Sequence, residues 1–162
     1  MCTGSGCILL SILKRYQVRG TGADISSEAL QVAERNRKHL ALPQVEWLQS
    51  DLFEKIEEKY DVIVSNPPYI QTEVIEGLQE EVRLHDPYIA LDGKEDGLYF
   101  YRRIIEDAKA YLEDGGWLLF EIGYDQAEPV TRLMEQAGYS EIHVKKDLSG
   151  LDRVAGARYN KN

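Results

Sequence analysis

Residues 60–69, Tyr-Asp-Val-Ile-Val-Ser-Asn-Pro-Pro-Tyr, decide the fold. The first six form a near-continuous apolar run, which is typical of a strand buried in a parallel sheet. Asn66, Pro67, Pro68 and Tyr69 follow at once, where such a strand ends. In open α/β sheets, ligands bind outside the carboxyl ends of the strands. This stretch therefore predicts a parallel α/β sheet with a functional segment at its carboxyl edge.

Helix-like and strand-like segments alternate along the rest of the chain, which also indicates an α/β fold. Helices are expected over residues 8–16, 26–40, 98–112 and 127–137. Strands are expected over residues 18–24, 45–47, 60–65, 117–122, 142–144 and 154–159. Ser26 is expected to cap the second helix, and Gly115-Gly116 to end the third. Residues 70–96 are interpreted as a long functional loop with one short helix, and residues 1–162 as a single domain.

The composition and charge of the chain argue against several classes of protein. The 162 residues carry a net charge of -9, from 28 acidic and 19 basic residues, which argues against a broad surface for nucleic acid. The longest apolar runs are too short for a membrane span, and a signal peptide is not expected. The two cysteines and three histidines show no metal-ligand spacing, so no metal site is expected. The expected location is the cytoplasm, with reduced thiols.

A glycine-containing loop opens the chain, with the sequence Cys2-Thr3-Gly4-Ser5-Gly6 directly before a predicted helix. Two glycines let the backbone approach a ligand closely. A dinucleotide fingerprint needs a third glycine where this chain has Leu9, so a ligand without bridging phosphates fits better. A plain tight turn is the alternative interpretation.

Two aspartates end the next two predicted strands. Asp24 lies 20 residues after Gly4, where a carboxylate can accept hydrogen bonds from ribose hydroxyls. Asp51 is placed to accept from an adenine amino group, with Leu52 packing on the ring. The alternatives are an acidic residue at a helix N-terminus for Asp24 and a turn residue or helix cap for Asp51. Together with the loop, these residues favour a nucleoside-containing ligand.

The Asn-Pro-Pro-Tyr segment suits a planar amino group attached to a π system. Two prolines make the segment rigid and remove two backbone donors. The Asn66 side-chain oxygen and the Pro67 carbonyl are then available to accept both hydrogens of one NH2 group, and Tyr69 offers a ring to stack on it. An amide, adenine, cytosine or guanine would fit, and the chemistry would be methyl transfer resting on positioning and electrostatics. A structural turn is the alternative.

The chain resembles the class I, S-adenosylmethionine-dependent release-factor glutamine methyltransferases. Asn-Pro-Pro-Tyr is shared with enzymes that methylate amino groups of bases, whereas segments 121–126 and 147–153 are more specific to the glutamine enzymes. The matching segments are Cys2–Cys7, Asp24–Ser26, Ser50–Leu52, Asn66–Ile70, Ala90–Leu98, Glu121–Gln126 and Asp147–Arg153. The resemblance covers essentially the whole chain.

The resemblance implies a Rossmann-like, mostly parallel sheet with an antiparallel last strand, and a role in translation termination. The implied substrate is the glutamine of the Gly-Gly-Gln loop of a peptide chain release factor, the partner protein, with no direct nucleic-acid contact. Residues implied to contact S-adenosylmethionine are Cys2, Thr3, Gly4, Ser5, Gly6, Asp24, Asp51, Leu52 and Asn66. Residues implied to hold the glutamine are Asn66, Pro67, Pro68 and Tyr69, of which Asn66, Pro67 and Tyr69 are expected to be catalytic.

Two departures from the family pattern lead to a further expectation. The family's N-terminal helical domain and its first strand, which precedes the glycine loop, have no counterpart here. Losing a central strand would remove buried side chains worth roughly 1.5–3 kcal/mol each, against a total stability of about 5–15 kcal/mol. The chain is therefore expected to bind the cofactor weakly and to have little activity. The remaining alternatives are a methyltransferase acting on amino groups of nucleic-acid bases and an inactive remnant of the fold.

Overall fold

The chain is described here by a computed structural model that covers residues 1–43, 45–77 and 87–161. It falls into two compact units, Met1–Glu58 and Lys59–Asn162, which are described separately. The interpretation of residues 1–162 as a single domain stays a prediction. Within the described residues, no helix has both the length and the apolar character needed to cross a bilayer.

The first unit contains two helices and a two-stranded parallel sheet. Its elements are α1 (Cys7–Arg15), β1 (Thr21–Asp24), α2 (Ser27–His39) and β2 (Glu46–Gln49). The prediction of a strand over residues 18–24 was wrong at its beginning, because β1 starts at Thr21 and Val18 is 53% exposed. Only the part of this segment that has β2 as a hydrogen-bonding partner forms a strand.

Helix α2 begins and ends as its sequence predicts. The Ser26 hydroxyl accepts a hydrogen bond from the amide of Ala29 at 3.1 Å, which confirms the predicted cap. Glu28 lies in the first turn and three basic residues lie in the last, as the helix dipole favours. Leu30 and Ala33 are buried one turn apart, so this face of the helix packs into the unit.

The second unit contains a four-stranded sheet in the order β3-β4-β6-β5. Strands β3 and β4 are parallel, whereas β6 is antiparallel to both β4 and β5, which confirms the antiparallel last strand. The strands are β3 (Tyr60–Ser65), β4 (Leu112–Glu121), β5 (Ser140–Lys146) and β6 (Asp152–Arg158). The helices among its described residues are α3 (Thr72–Ile75), α4 (Tyr88–Leu91), α5 (Tyr99–Tyr111) and α6 (Ala127–Gln136).

The role predicted for Gly115-Gly116 was wrong. Helix α5 ends at Tyr111 and β4 begins at Leu112, so both glycines lie inside the strand. The pairing of β3 with β4 shifts register between Tyr60 and Val62, opposite this part of β4. Gly115 has a φ of +78°, and a β-carbon on Gly116 would lie 2.9 Å from the Glu113 carbonyl oxygen. The glycines therefore allow an irregularity in the strand rather than ending the helix.

Strand β3 has the predicted bounds but is not buried along its whole length. Within the described sheet it pairs only with β4 and forms an edge, and Val62 is 47% exposed. Ile63 and Ser65 are buried and alternate with more exposed residues, the pattern of a strand with one covered face. The expectation of a strand buried on both faces was therefore wrong for the described chain.

The core of the second unit is formed by one face of the sheet and the apolar sides of α5 and α6. Tyr101 of α5 is fully buried and meets the ring of Phe120 of β4 edge-on, with ring centroids 5.1 Å apart. Val130 and Met134 are buried one turn apart on α6. This core holds β3 and β4 in place, and it therefore also supports the segments that follow their carboxyl ends.

Residues 70–96 differ from the expectation of a loop with one short helix. The described part contains two one-turn helices, α3 and α4. Residues 78–86 of the expected loop lie outside the described residues. Hydrogen bonds around Asp92 connect the residues that follow Tyr69 with residues 91–94.

Candidate functional site

The loop Cys2–Gly6 is fixed to the end of β1 by backbone hydrogen bonds. The amide of Thr3 donates to the Ala23 carbonyl at 3.0 Å, and the amide of Gly6 donates back to the Thr3 carbonyl at 2.8 Å. Gly4 and Gly6 have φ values of +53° and +78°, in the left-handed region that glycine adopts at little cost. The sequence therefore forms a tight, ordered turn that leads into α1.

The two glycines of this loop differ in the space around them. A β-carbon on Gly6 would lie 3.1 Å from the Ala33 β-carbon and 3.2 Å from both Leu10 and Trp47, so Gly6 is packed against the unit. A β-carbon on Gly4 would meet nothing within 4 Å. The loop therefore has one packed side and one open side, and a ligand can approach the backbone at Gly4.

Asp24 connects the loop to the start of α2. Its Oδ2 accepts a hydrogen bond from the Gly4 amide at 2.8 Å, and its Oδ1 accepts from the Ser26 amide at 2.9 Å. Sequence reasoning missed this loop-shaping role. A carboxylate offers about four acceptor positions, so Asp24 retains capacity for hydroxyl donors. The predicted contact with a ribose stays a prediction.

The segment Ser50-Asp51-Leu52 lies at the carboxyl end of β2. The Ser50 amide donates to the Asp24 carbonyl at 2.9 Å, which brings this segment beside the end of β1. The buried Ser50 hydroxyl donates to the Leu52 carbonyl at 2.8 Å and stabilises a backbone in which Leu52 has a φ of +46°. Leu52 is only 5% exposed, so most of its side chain packs within the first unit. The contacts predicted for Asp51 and Leu52 with an adenine ring stay predictions.

Trp47, on the packed side of the loop, is held by a polar cluster formed by Glu34 and Arg37. The sequence analysis did not predict this cluster. The Trp47 indole nitrogen donates to Glu34 Oε2 at 2.9 Å, and Arg37 Nε donates to the same oxygen at 2.7 Å. Hydrogen bonds from Arg37 and then Trp47 lower the pKa of Glu34 to about 2. The indole packs over Gly22, where a β-carbon would collide with the ring. The spacing of Glu34 and Arg37 on one helix face was the available sequence signal.

In the second unit, the segment Asn66–Tyr69 follows β3 directly. Asn66 is exposed, Pro67 is fully buried, and Pro68 and Tyr69 are half-buried. All peptide bonds in the described chain are trans. The buried proline anchors the segment while the Asn66 side chain remains accessible to a ligand. The hydroxyl of the preceding residue, Ser65, is buried and has no hydrogen-bond partner within the described residues.

The phenol of Tyr69 lies in a partly buried, charged environment. Burial is the main cause that raises its pKa, the charge of Glu121 adds to this effect, and Arg153 opposes it. Arg153 is fixed by Asp147, whose Oδ2 accepts from Arg153 Nε at 3.2 Å, and by the Ile122 carbonyl, which accepts from NH1 at 3.2 Å. The family-like segments 121–126 and 147–153 therefore meet at Tyr69.

A further family-like segment, residues 90–98, is hydrogen-bonded to the residues that follow Tyr69. The Ile70 amide donates to the Leu91 carbonyl at 3.0 Å, and the Gly93 amide donates to the Ile70 carbonyl at 2.7 Å. Asp92 is 6% exposed and accepts from the Thr72 hydroxyl at 2.6 Å and from Lys94 Nζ at 2.7 Å. These bonds, from Lys94 first and then Thr72, lower the pKa of Asp92.

The predicted residues thus form two groups. The loop Cys2–Gly6, Asp24 and residues 50–52 are brought together within the first unit. Residues 66–69 are brought together with segments 90–98, 121–126 and 147–153 within the second unit. Each group is ordered by hydrogen bonds of its own unit.

Comparison with known proteins gives a family and a set of relatives. The family model described as methyltransferase small domain matches residues 1–83. A release factor glutamine methyltransferase of Agrobacterium fabrum is 45% identical over 154 residues, covering 94% of this chain and 53% of that protein. A release factor glutamine methyltransferase of Caulobacter vibrioides is 46% identical over 154 residues, covering 93% of this chain and 53% of that protein. The chain therefore spans about half the length of these curated relatives.

Solved structures show the same fold at low sequence identity. A methyltransferase from Pyrococcus furiosus has a TM-score of 0.74 at 17% identity, covering 98% of this chain and 72% of that chain. The N-methyltransferase NodS from Bradyrhizobium japonicum, in complex with S-adenosyl-L-homocysteine, has a TM-score of 0.59 at 17% identity, covering 97% of this chain and 74% of that chain. These likenesses confirm the α/β class I methyltransferase fold.

Proposed function

This chain belongs to the methyltransferase small domain family, and from that premise we propose that it transfers a methyl group from S-adenosylmethionine to the side-chain amide nitrogen of a glutamine. The proposed substrate is the Gly-Gly-Gln loop of a peptide chain release factor in the cytoplasm. The proposal is supported by the names of relatives 45% and 46% identical to this chain. Because the chain spans about half of their length, the substrate and partner are proposals for this chain.

The proposal rests on which residues of the Asn-Pro-Pro-Tyr segment, at the carboxyl end of β3, are buried and which are exposed. Pro67 is buried and anchors the segment, whereas Asn66 is exposed. The exposed Asn66 amide offers a side-chain oxygen to a ligand, and the buried proline fixes the backbone that carries it. Such an acceptor fits a hydrogen of a carboxamide NH2 group better than it fits an apolar ligand.

The proposed chemistry depends on positioning. An amide nitrogen is a weak nucleophile because its lone pair is delocalised into the carbonyl. Asn66 Oδ1 and the Pro67 carbonyl would each accept one hydrogen of the substrate NH2 group, which orients the lone pair and stabilises positive charge as it develops on nitrogen. The ring of Tyr69 would stack on the amide plane. The substrate nitrogen would gain the methyl group as the sulfur–methyl bond of the donor breaks, which leaves S-adenosylhomocysteine, and it would release one proton to solvent.

The first unit fits the proposed cofactor. S-adenosylmethionine, when bound, supplies an electrophilic methyl group. The open space at Gly4 allows a ligand to contact the loop backbone, and Asp24 retains acceptor positions for ribose hydroxyls. Cys2, Thr3, Gly4, Ser5 and Gly6 would line one side of the ligand. Asp51 and Leu52 would contact its adenine.

The function is tested with methyl-labelled S-adenosylmethionine, the full chain, and either purified release factor or RNA. We expect slow labelling of the factor, because the chain is expected to have little activity, and no label on a factor whose Gly-Gly-Gln glutamine is replaced by glutamate. Asn66→Ala should lower kcat on the order of 10²-fold, as for other positioned charge-stabilising groups. Asn160→Ala, a change at an exposed asparagine of the same unit, should leave kcat unchanged.

Each of the other outcomes contradicts the proposal. Label on RNA would support the nucleic-acid methyltransferase, and label on neither substrate would support the inactive remnant. Calorimetry with S-adenosylmethionine separately tests the expectation of weak cofactor binding. Saturable binding at low micromolar affinity would show that expectation to be wrong and would leave the proposed function standing.

A further inference from the structure

The side-chain amide of Gln126 lies at the centre of a hydrogen-bonded junction next to Tyr69. Its Nε2 donates to the Tyr69 carbonyl at 3.0 Å and to the Gly97 carbonyl at 3.3 Å. Its Oε1 accepts from the Gly123 amide at 3.0 Å and lies 3.4 Å from the Tyr101 hydroxyl oxygen. Both donor hydrogens of the amide are therefore used, and its oxygen has a backbone donor.

We propose that Gln126 is a positioning residue that fixes the backbone of the Asn-Pro-Pro-Tyr segment through the Tyr69 carbonyl. This inference rests on the proposed function of that segment. Gln126 acts through Tyr69 and does not itself contact the reacting atoms.

The chemistry of the segment explains why a donor is needed at this point. Pro67 and Pro68 have no amide hydrogen, so neither can donate a backbone hydrogen bond to the surrounding protein. Carbonyl groups are the polar backbone groups that remain at these two positions, and the Pro67 carbonyl is assigned to the substrate. A donor from elsewhere in the fold must therefore fix a later carbonyl, and Gln126 supplies it at Tyr69.

Gln126 is itself held rigidly enough for this role. Its backbone amide donates to the Gly123 carbonyl at 3.0 Å, and its carbonyl accepts from the Val130 amide at 3.1 Å in the first turn of α6. The Tyr101 hydroxyl, which lies beside Oε1, belongs to a fully buried ring and donates to the Glu121 carbonyl at 2.9 Å. The amide is thus oriented by α6, by the turn before it and by the core.

Glycines leave the space that this junction occupies. A β-carbon on Gly97 would collide with the Tyr69 carbonyl oxygen and lie 2.8 Å from Gln126 Nε2. A β-carbon on Gly93 would lie 2.7 Å from the Tyr69 α-carbon, and one on Gly123 would lie 2.9 Å from Gln126 Oε1. The backbone of Tyr69 therefore fits into a narrow slot whose polar wall is the Gln126 amide.

The decisive variant is Gln126→Glu, which keeps the size of the side chain and replaces the donor with an oxygen facing two carbonyls. Its matched control is Gln136→Glu, the same change at an exposed position at the other end of α6. Amide hydrogen exchange is followed at Ile70 and Gly93, whose amides bond across the segment that leaves Tyr69. At pH 7 we expect both amides to exchange at least tenfold faster in Gln126→Glu, with no change in the control.

A pH series separates positioning from general support of the fold. As pH falls, the introduced carboxyl becomes protonated and regains one O–H donor for the Tyr69 carbonyl. The exchange rate at Ile70, relative to the unmodified chain at the same pH, should then fall back towards one. Gln126→Met, which has no donor at any pH, should show no such recovery.

Methyl transfer gives the functional readout. For Gln126→Glu we expect kcat on release factor to fall about tenfold, with KM within twofold, because the contact fixes geometry rather than substrate binding. No methylation by the unmodified chain would refute the proposed function, while exchange at Ile70 would still decide the role of Gln126.

Two results would overturn the inference. One is unchanged exchange at Ile70 and Gly93 in Gln126→Glu. The other is a uniform rise in exchange that also includes Leu118 and Phe120 of β4, in both Gln126→Glu and Gln126→Met. That uniform rise would mean that Gln126 supports the whole unit and does not position the segment.

Discussion

Substituting alanine at the two loop glycines should separate folding from ligand binding. Gly4 and Gly6 both have positive φ values, so each alanine carries the conformational cost of the left-handed region, roughly 1–2 kcal/mol. The difference lies in the space available. A methyl group at Gly4 enters open space, whereas one at Gly6 meets Ala33, Leu10 and Trp47 at 3.1–3.2 Å.

The expected magnitudes follow from these contacts. Gly4→Ala should lower the free energy of unfolding by about 1–2 kcal/mol, from backbone strain alone. Gly6→Ala adds the cost of overpacking, typically about 1–3 kcal/mol, because Ala33 sits on a packed helix face and cannot move aside freely. Gly6→Ala should therefore be about 1–3 kcal/mol less stable than Gly4→Ala.

The assay is urea unfolding followed by tryptophan fluorescence in a Trp117→Phe background. The chain has two tryptophans, so this background makes Trp47 of the first unit the only reporter. Binding of S-adenosylmethionine is measured in parallel by calorimetry. Gly4→Ala should weaken binding at least tenfold while remaining nearly as stable as its parent, since the added methyl group occupies the open side of the loop.

Two results would refute this reasoning. Equal stability losses for the two variants would show that the packed and open sides of the loop do not differ as the distances indicate. Unchanged cofactor affinity in Gly4→Ala would show that the open side of the loop does not face the ligand.

Three further changes test other parts of the structure. Ser65→Ala should raise the free energy of unfolding by about 1 kcal/mol because it removes a buried hydroxyl that has no partner within the described residues; a clear loss in urea unfolding would reveal a hidden partner. Glu34→Gln should destabilise the chain at pH 6, because the fold lowers the pKa of Glu34 and stabilises its ionised form. The loss should become smaller as pH falls from about 4.5 to about 2, and a difference in unfolding midpoint that is constant with pH would contradict this. Gly97→Ala should cost about 2–5 kcal/mol from strain and collision with the Tyr69 carbonyl, whereas Gly138→Ala, also at positive φ but in open space, should cost only about 1–2 kcal/mol in the same unfolding assay.

Local signals predicted most of the elements correctly. Ser26 caps α2 as predicted, and β3 has the predicted bounds because its apolar run is bounded by Pro67. The errors occurred where pairing decided the outcome. Gly115-Gly116 looks like a helix stop in sequence, yet β4 begins before it because Leu112 pairs with Tyr60 of β3. A residue's choice between turn and strand depends on a partner strand that a local pattern does not contain.

The candidate site shows the same division. Asn66–Tyr69 and the loop Cys2–Gly6 stand out by their residue types and their places after a strand or before a helix. Gln126 lies in a segment that the resemblance singles out, but its contact with Tyr69 was not predicted, because nothing in its neighbourhood connects it with a residue 57 positions earlier. The loop-shaping bonds of Asp24 were also missed, since a carboxylate suited to a ribose is equally suited to backbone amides.

The sequence by itself determined the α/β class, the two chemistry-bearing segments and the resemblance to glutamine methyltransferases. These features depend on residue type, spacing and order, which are properties of the amino-acid sequence itself. Only the tertiary structure decided which glycine of the loop is packed and which is open, and which distant side chain fixes the backbone at Tyr69. Those properties depend on distances of about 3 Å between residues far apart in sequence, and such distances exist only once the core has packed.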